Sequence, residues 1–494
     1  MIELRDRKVH VVGASGIEGA DLLLYLVGHL GLSGVVAHDF TAAPDAFRES
    51  FLKANTAGGP ETQEARLAQL LSMPIDLRLG SRYLDGIDEA DLIFASQNWF
   101  NYPPNLPALP EAQQAGAQLV GILDLALQLF PGTRIGVTGS NGKSTTCALT
   151  RHLLEATTPS GVSILSAGND RGSQVPLVTL AQADPSAVAV WEVSNRHLRD
   201  RTVACDVATL TNLSANHIED HGSFEDYVAA KTRLVTSAGP DGHAILCGSD
   251  PYSRALLPQV RATGATLWQF DCPPTNSSTE GFVWFEGENV WLQYPGGEPT
   301  RVPGASGLPL WGIHNRKNLL AALATVAAAQ VGPLDGDLQL ERFEGLPERL
   351  DTVAEDNGVV WIDDIQATTA PAAAAGIEAV GRRREGIVLL VGGEDKAMDY
   401  GGMADATEAH VCHVLCLPGS GTEAFLAALN GRVPVEHTTD LETMLIRARE
   451  LAPAGGAVLL SPGCAFFRRD HVGSGPPFPV RVRQLLGSDT GERE

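Results

Sequence analysis

The sequence predicts an α/β protein built on parallel sheets and divided into three domains. Three observations predict it. Short apolar runs ending in Gly, Asp or Ser alternate with helix-length Ala/Leu-rich segments along most of the chain, the pattern of parallel sheets covered on both faces. Two glycine turns, around 13–19 and 139–142, each stand between an apolar run and a helical segment. The length, 494 residues, is about three times a domain of ~150 residues.

The strands follow from mainly apolar runs of three to seven residues bounded by turn residues. Runs 9–12, 35–37 and 92–95 belong to the first domain, 134–137, 188–191 and 207–210 to the second, and 359–362, 387–391, 411–417 and 457–460 to the third. Helices are expected over 146–155, 224–235 and 318–330. Residues 266–303, with their Trp, Gly and Pro, read as an antiparallel insertion. Boundaries near 117–131 and 332–344 give domains at 1–122, 123–340 and 341–494, with a polar, frayed tail over 487–494.

Composition excludes several roles. Lys plus Arg number 36 against 59 Asp plus Glu, a net charge of −23, so nucleic acid and anionic membrane are not expected as partners. No apolar run approaches the ~20 residues of a membrane span, and residues 1–8 lack the layout of a secretory signal. Seven cysteines are scattered without a C-x-x-C pair or zinc spacing, which points to reduced thiols and a cytoplasmic setting.

The most specific chemistry lies in the run from Arg134 to Thr145, R-I-G-V-T-G-S-N-G-K-S-T. An apolar strand enters a glycine turn and leaves as a helix, so free backbone N–H groups and a helix N-terminus converge on one point, an arrangement suited to phosphate oxygens. Gly139, Ser140, Asn141, Gly142, Lys143, Ser144 and Thr145 form this ATP-binding loop, Lys143 facing the β/γ-phosphates and Ser144 holding Mg²⁺. The central domain is therefore of the P-loop mononucleotide-binding type, although Val137 departs from the common G-x-x-x-x-G-K-[ST] pattern. The N-terminal turn, Gly13-Ala14-Ser15-Gly16-Ile17-Glu18-Gly19 with Asp39 about twenty residues on, has a Rossmann-like layout without the G-x-G-x-x-G spacing.

Further motifs follow in order: Gly168-Asn169, Trp191-Glu192-Val193-Ser194, Asn212 with Asn216-His217 and His221, Tyr227 with Lys231, and His314-Asn315 with Asn318. The third domain adds Glu348-Arg349, Asp363-Asp364-Ile365-Gln366-Ala367-Thr368, Gly392-Gly393-Glu394-Asp395-Lys396 and Ser461-Pro462-Gly463-Cys464. From residue 9 to residue 480 this ordered set resembles the Mur ligase superfamily, and within it the branch that adds D-glutamate to UDP-N-acetylmuramoyl-L-alanine in peptidoglycan synthesis.

The resemblance implies a Rossmann-like C-terminal domain and a monomeric, ATP- and Mg²⁺-dependent amide-forming ligase that works through an acyl phosphate. It assigns Lys143, Glu192, His217, Lys231 and Arg349 to catalysis, and Ser144, Glu192, His217 and, if carbamylated, Lys231 to the metal. Asn315, Asn318, Arg349 and Asp364 join the loop in contacting ATP, with Arg349 reaching the γ-phosphate on domain closure. The UDP-linked substrate falls to Ser15, Gly16, Asp39, Asn169 and Ser194, and the incoming glutamate to Thr368, Lys396 and Phe466. Read from residue type alone, Glu192 is also a buried structural carboxylate, His217 a packed histidine and Lys231 a solvated helix lysine.

Three departures leave the added amino acid open. Gln366 stands where the D-glutamate branch has a lysine, Phe466 where it has a serine, and the Gly- and Pro-rich loop over 468–478 is about two residues short; on the uridine side, Ser96-Gln97-Asn98 replaces a Ser-Pro-Gly turn. Arg468 and Arg469 are candidates to compensate. An L-glutamate-adding branch also lacks that lysine and has a stretch like Thr368-Thr369-Ala370-Pro371. A Mur-like ligase of another pathway and a non-catalytic nucleotide-binding protein are the remaining readings.

Overall fold

The computed structural model describes residues 2–55, 59–168, 175–199, 203–214, 221–275, 277–395, 398–465 and 476–487. The chain forms two compact units, one of residues 1–306 with 320–338, the other of 307–319 with 339–494.

The first unit contains two sheets. In the first, strands β1 (Val9–Val12), β2 (Val36–Asp39), β3 (Asp76–Leu79), β4 (Leu92–Ala95) and β5 (Gln118–Gly121) are all parallel in the order β3-β2-β1-β4-β5. The strand order reverses between β1 and β4, so the turns after these two strands open a crevice at their carboxyl ends. Gly19 lets the first helix, Ile17–Leu23, press against that turn: a Cβ there would overlap the Gly13 carbonyl.

The second sheet contains β6 (Thr133–Thr138), β7 (Ile164–Gly168), β8 (Val188–Glu192), β9 (Val207–Leu210), β10 (His243–Cys247), β11 (Thr266–Phe270), β12 (Gly281–Glu286), β13 (Asn289–Gln293) and β14 (Thr300–Arg301). Their order is β14-β13-β12-β11-β10-β9-β6-β8-β7. The expectation for 266–303 needs correction. β11 and β12 extend the sheet in parallel, and only β13 and β14 run antiparallel. Trp268 explains the extension, because its fully buried ring lies where a Cβ on Gly281 would sit, and only glycine lets β12 pair there.

The second unit carries β15 (Asp351–Asp356), β16 (Val359–Asp363), β17 (Ile387–Val391), β18 (Val411–Cys416), β19 (Val435–His437) and β20 (Ala457–Leu460). The order is β15-β16-β20-β17-β18-β19, antiparallel only at the β15 edge. Its central strands are buried on both faces, with apolar layers above and below, as parallel strands between helices must be.

Candidate active site

The phosphate loop follows β6. Gly139 has φ +147°, and a Cβ at this position would overlap Thr211 Oγ1. Gly142, in left-handed conformation, caps helix Lys143–Thr157 and sends the chain into it. The loop is braced from behind by the segment after β9. Asn141 N–H donates to Asn212 Oδ1 (3.0 Å), while Asn212 Nδ2 and Thr211 Oγ1 both donate to the Asn141 carbonyl (2.9 and 2.7 Å). Ser140 Oγ donates to the Ser214 carbonyl and accepts from Ser214 N–H and Tyr227 OH. That hydroxyl is saturated within the protein, and the Ser140 N–H donates to the Asn212 carbonyl (2.9 Å), so Ser140 braces the loop through side chain and backbone alike. Lys143 Nζ donates to the Gly139 and Ser140 carbonyls (2.9 and 3.1 Å), folded over the loop it would leave to meet phosphate.

Below the loop lies a buried lysine. Helix Phe224–Thr236 places Lys231 against the sheet, 1% exposed, its Nζ 4.8 Å from the Tyr227 ring centroid and 3.5 Å from Thr138 Oγ1. Burial drives its pKa well below the ordinary lysine range, the Lys143 charge pushes the same way, and Glu192 only partly opposes them. The structure thus replaces the solvated helix lysine with a buried one whose charged form is disfavoured. Glu192, 4% exposed, ends β8 beside β6, in register with Val137 and Gly168. His217 lies outside the described residues.

The crevice of the first sheet opens as a cavity of about 530 Å³ lined by Ser15, Gly16, Asp39 and Ser194 together. Asn169 lies outside the described residues, although its neighbour Gly168 lines the cavity. Asp39 is buried and both its oxygens are engaged: Oδ2 accepts from Ser15 N–H (2.7 Å), Oδ1 from Thr41 N–H (3.1 Å). It therefore fixes the glycine turn, and a ligand would share an occupied carboxylate. Ser194 Oγ donates to Gln97 Oε1 (2.6 Å), and Arg196 donates to Asn98 Oδ1 (2.8 Å). The altered 96–98 turn is thus tied to the loop that follows Glu192. His197 continues the tie. Its Nδ1 accepts from Ser194 N–H (3.2 Å), which leaves the proton on Nε2 to face Glu18 Oε1 at 3.2 Å. Arg196 and His197 escaped the sequence reading, although they stand within five residues of Glu192 on the same loop.

In the second unit, helix Ile313–Ala329 begins with Asn315 and Asn318, which are buried and paired at 3.0 Å; Asn315 Nδ2 also donates to the Trp311 carbonyl. Asp364 lies at the carboxyl end of β16, accepting from Ser461 Oγ (2.8 Å) and Leu350 N–H (3.2 Å). Burial raises its pKa to about 7, with Arg349 and these hydrogen bonds opposing. Arg349 is exposed, Thr368 is half-buried, and Gln366 Nε2 donates to Glu348 Oε2 (2.7 Å). Lys396, Phe466, Arg468 and Arg469 lie outside the described residues. Among the described residues no cluster of three or more His, Cys, Asp or Glu side chains forms a metal cage, and no helix is long and apolar enough to cross a membrane.

Residues 137–326 match the Mur ligase middle domain, and residues 348–464 match the Mur ligase glutamate ligase domain. The UDP-N-acetylmuramoylalanine–D-glutamate ligase of Symbiobacterium thermophilum is 31% identical over 470 residues, covering 94% of this chain and 95% of that protein. The enzyme of the same name from Chromohalobacter salexigens is 32% identical over 447 residues, covering 89% and 92%. Among solved structures, a pseudomurein peptide ligase type C from Methanothermus fervidus aligns with a TM-score of 0.52 at 16% identity, over 92% of this chain and 96% of that one. UDP-N-acetylmuramate–alanine ligase from Thermotoga maritima gives 0.52 at 16%, over 97% and 98%. These structures share the fold. Near-full-length identity to the relatives, together with both domain matches, establishes that the chain belongs to the Mur ligase family.

Proposed function

We propose that this chain joins D-glutamate to UDP-N-acetylmuramoyl-L-alanine in an ATP-dependent, ADP-forming ligation of peptidoglycan synthesis. The observation that carries the reading is identity over 94% of the chain to a relative bearing that activity in its name. Domains at 1–122, 123–340 and 341–494 are assigned to the UDP-linked substrate, ATP and the amino acid. A monomer in the cytoplasm completes the reading.

The substrate carboxylate attacks the γ-phosphorus of ATP, giving an acyl phosphate and ADP. The glutamate amine then attacks the acyl carbon, and phosphate leaves as the amide forms. The chain's contribution is to position anions and offset their charge. The loop Gly139–Thr145 is assigned to the phosphates, with the Ser140 and Asn141 amides bracing it against Asn212, and Lys143 turns from the loop carbonyls toward those phosphates. Asn315, Asn318, Arg349 and Asp364 are assigned to the nucleotide, Ser15, Gly16, Asp39, Asn169 and Ser194 to the UDP moiety, and Thr368, Lys396 and Phe466 to glutamate.

Oxygen donors from Ser144 and Glu192 suit Mg²⁺, and His217 is assigned to the same metal. Burial favours the uncharged form of the Lys231 amine, the form that adds carbon dioxide: an N–C bond forms, a proton leaves, and the resulting carbamate is an anionic oxygen donor. Mg²⁺, when bound, offsets charge on the transferring phosphoryl group. Phosphate release with UDP-N-acetylmuramoyl-L-alanine and a panel of D- and L-amino acids tests the proposal. D-Glutamate-dependent release is expected, and release with none of the panel refutes it. Gln366 in place of a lysine, together with Thr368-Thr369-Ala370-Pro371, motivates a second reading, L-glutamate addition, which the same panel separates.

A further inference from the structure

The 530 Å³ cavity has a wall that the assigned residues leave unexplained. Phe40, immediately after Asp39, is 48% exposed. One side of its ring meets Tyr102, with centroids 4.7 Å apart and planes inclined by 31°. Both rings line the cavity. The Tyr102 phenol is raised above its ordinary pKa by burial and by the Asp39 charge, which places the pair beside that carboxylate. A lone exposed phenylalanine needs no explanation. A half-exposed ring in a polar cleft, backed by a second ring and bordered by a carboxylate that fixes a glycine turn, has the form of a stacking platform. The space is ample for a nucleoside diphosphate, since ligand sites commonly span about 300–1,000 Å³. The glycine turn and the two rings line one and the same cavity, with Asp39 between them in the lining, so a ligand with its phosphates at the turn would have its base within reach of the rings.

We propose that Phe40 and Tyr102 form the platform on which the pyrimidine base of the UDP-linked substrate stacks. The platform rests on the UDP-substrate reading above and adds to it the residues that select a flat heterocycle. Isothermal titration with UDP and with pyrophosphate, the phosphate loop filled by a non-hydrolysable Mg-ATP analogue, tests it on the wild type, Phe40→Ala, Phe40→Leu and Phe40→Tyr. Phe40→Ala and Phe40→Leu should weaken UDP binding roughly ten- to hundredfold while leaving pyrophosphate unchanged. Phe40→Tyr should remain within about threefold of the wild type, since it keeps the ring. Equal UDP affinity in the wild type and Phe40→Ala or Phe40→Leu overturns the platform and leaves the UDP site standing. A wild type that binds no UDP overturns both. Because Phe40 is half exposed, these variants do not threaten the fold.

Discussion

Gly139→Ala is the sharpest probe of the phosphate loop. Two costs combine at this residue. The φ of +147° lies where a side chain is strained, by ~1–3 kcal/mol at such backbone positions. The new methyl would also overlap Thr211 Oγ1 and sit 3.1 Å from Thr211 Cβ and N. Moving Thr211 breaks its bond to the Asn141 carbonyl (2.7 Å), a loss of about 1 kcal/mol. If the free loop escapes the strain by leaving this geometry, binding must restore it, and the total of roughly 2–4 kcal/mol sets a rise in the Mg-ATP dissociation constant of up to about 30- to 1,000-fold. Calorimetric titration reads this directly. Thr211→Ala separates the two costs: alone it should weaken ATP about fivefold, through the lost hydrogen bond. In Gly139→Ala/Thr211→Ala the overlap with Oγ1 is gone, so the double variant should bind ATP better than Gly139→Ala, short of wild type because φ remains strained. Unchanged ATP affinity in Gly139→Ala, or a double variant weaker than both singles combined, refutes this account of the loop.

Three further outcomes follow. Asn212→Ala removes the side-chain pair that brackets Asn141 and should raise the KM for ATP about tenfold or more; steady-state kinetics showing an equal rise for the UDP-linked substrate would count against a role confined to the loop. Lys231→Met should abolish phosphate release yet raise the melting temperature near neutral pH, because the amine's depressed folded pKa makes the unfolded chain bind more protons and lets wild-type stability rise with pH toward the ordinary lysine range; a lowered melting temperature contradicts it. Asp364 runs the other way. Its carboxyl, held near 7 when folded, makes the native state bind the extra proton, so stability is full below about pH 4 and declines until about pH 7, by at most ~4 kcal/mol. Asp364→Asn keeps partners for Ser461 and Leu350 and should flatten that component, so denaturant unfolding at pH 5 and pH 8 must show the variant gaining on the wild type at the higher pH.

What the sequence reveals depends on whether a feature is local. All ten apolar runs became strands within a residue or two, because a strand buried on both faces is written as a continuous apolar run. The strands that escaped notice are mostly edges. β3 (DLRL), β15 (DTVAED) and β19 (VEH) carry charged residues toward solvent, as unpaired edges do, and the apolar signal dissolves. β10 (HAILC) is a different omission, since it is buried beyond its first residue and bounded by Gly242 and Gly248. The phosphate loop was legible for the same local reason. By contrast, Lys231 on its helix spacing alone reads as a solvated lysine, and only packing against Tyr227 and Thr138 shows its burial. Ser15, Gly16, Asp39 and Ser194 converge across 179 positions of chain because the switch between β1 and β4 and the end of β8 share one cavity. Nothing local to Phe40 or Tyr102 announces that they meet.

The resolution of the charge problem lies in these same residues. A chain of net charge −23 is proposed to bind two polyanions, yet the lysines nearest the phosphate loop do not form a ready field of positive charge. Lys143 is turned onto the Gly139 and Ser140 carbonyls, and Lys231 has been brought toward neutrality by burial. Attraction in this arrangement therefore rests first on directed dipoles, the turn amides not engaged within the protein and the N-termini of the helices they enter, with Lys143 joining once it turns from the carbonyls. Dipoles act over short range and fixed angles, so they favour a phosphate seated in the turn over one passing the surface. The acidic exterior then repels nonspecific polyanions while the loops admit two particular ones. Adding surface lysines would dilute that selectivity, whereas tilting a single loop amide, as Gly139→Ala is expected to do, removes the affinity itself.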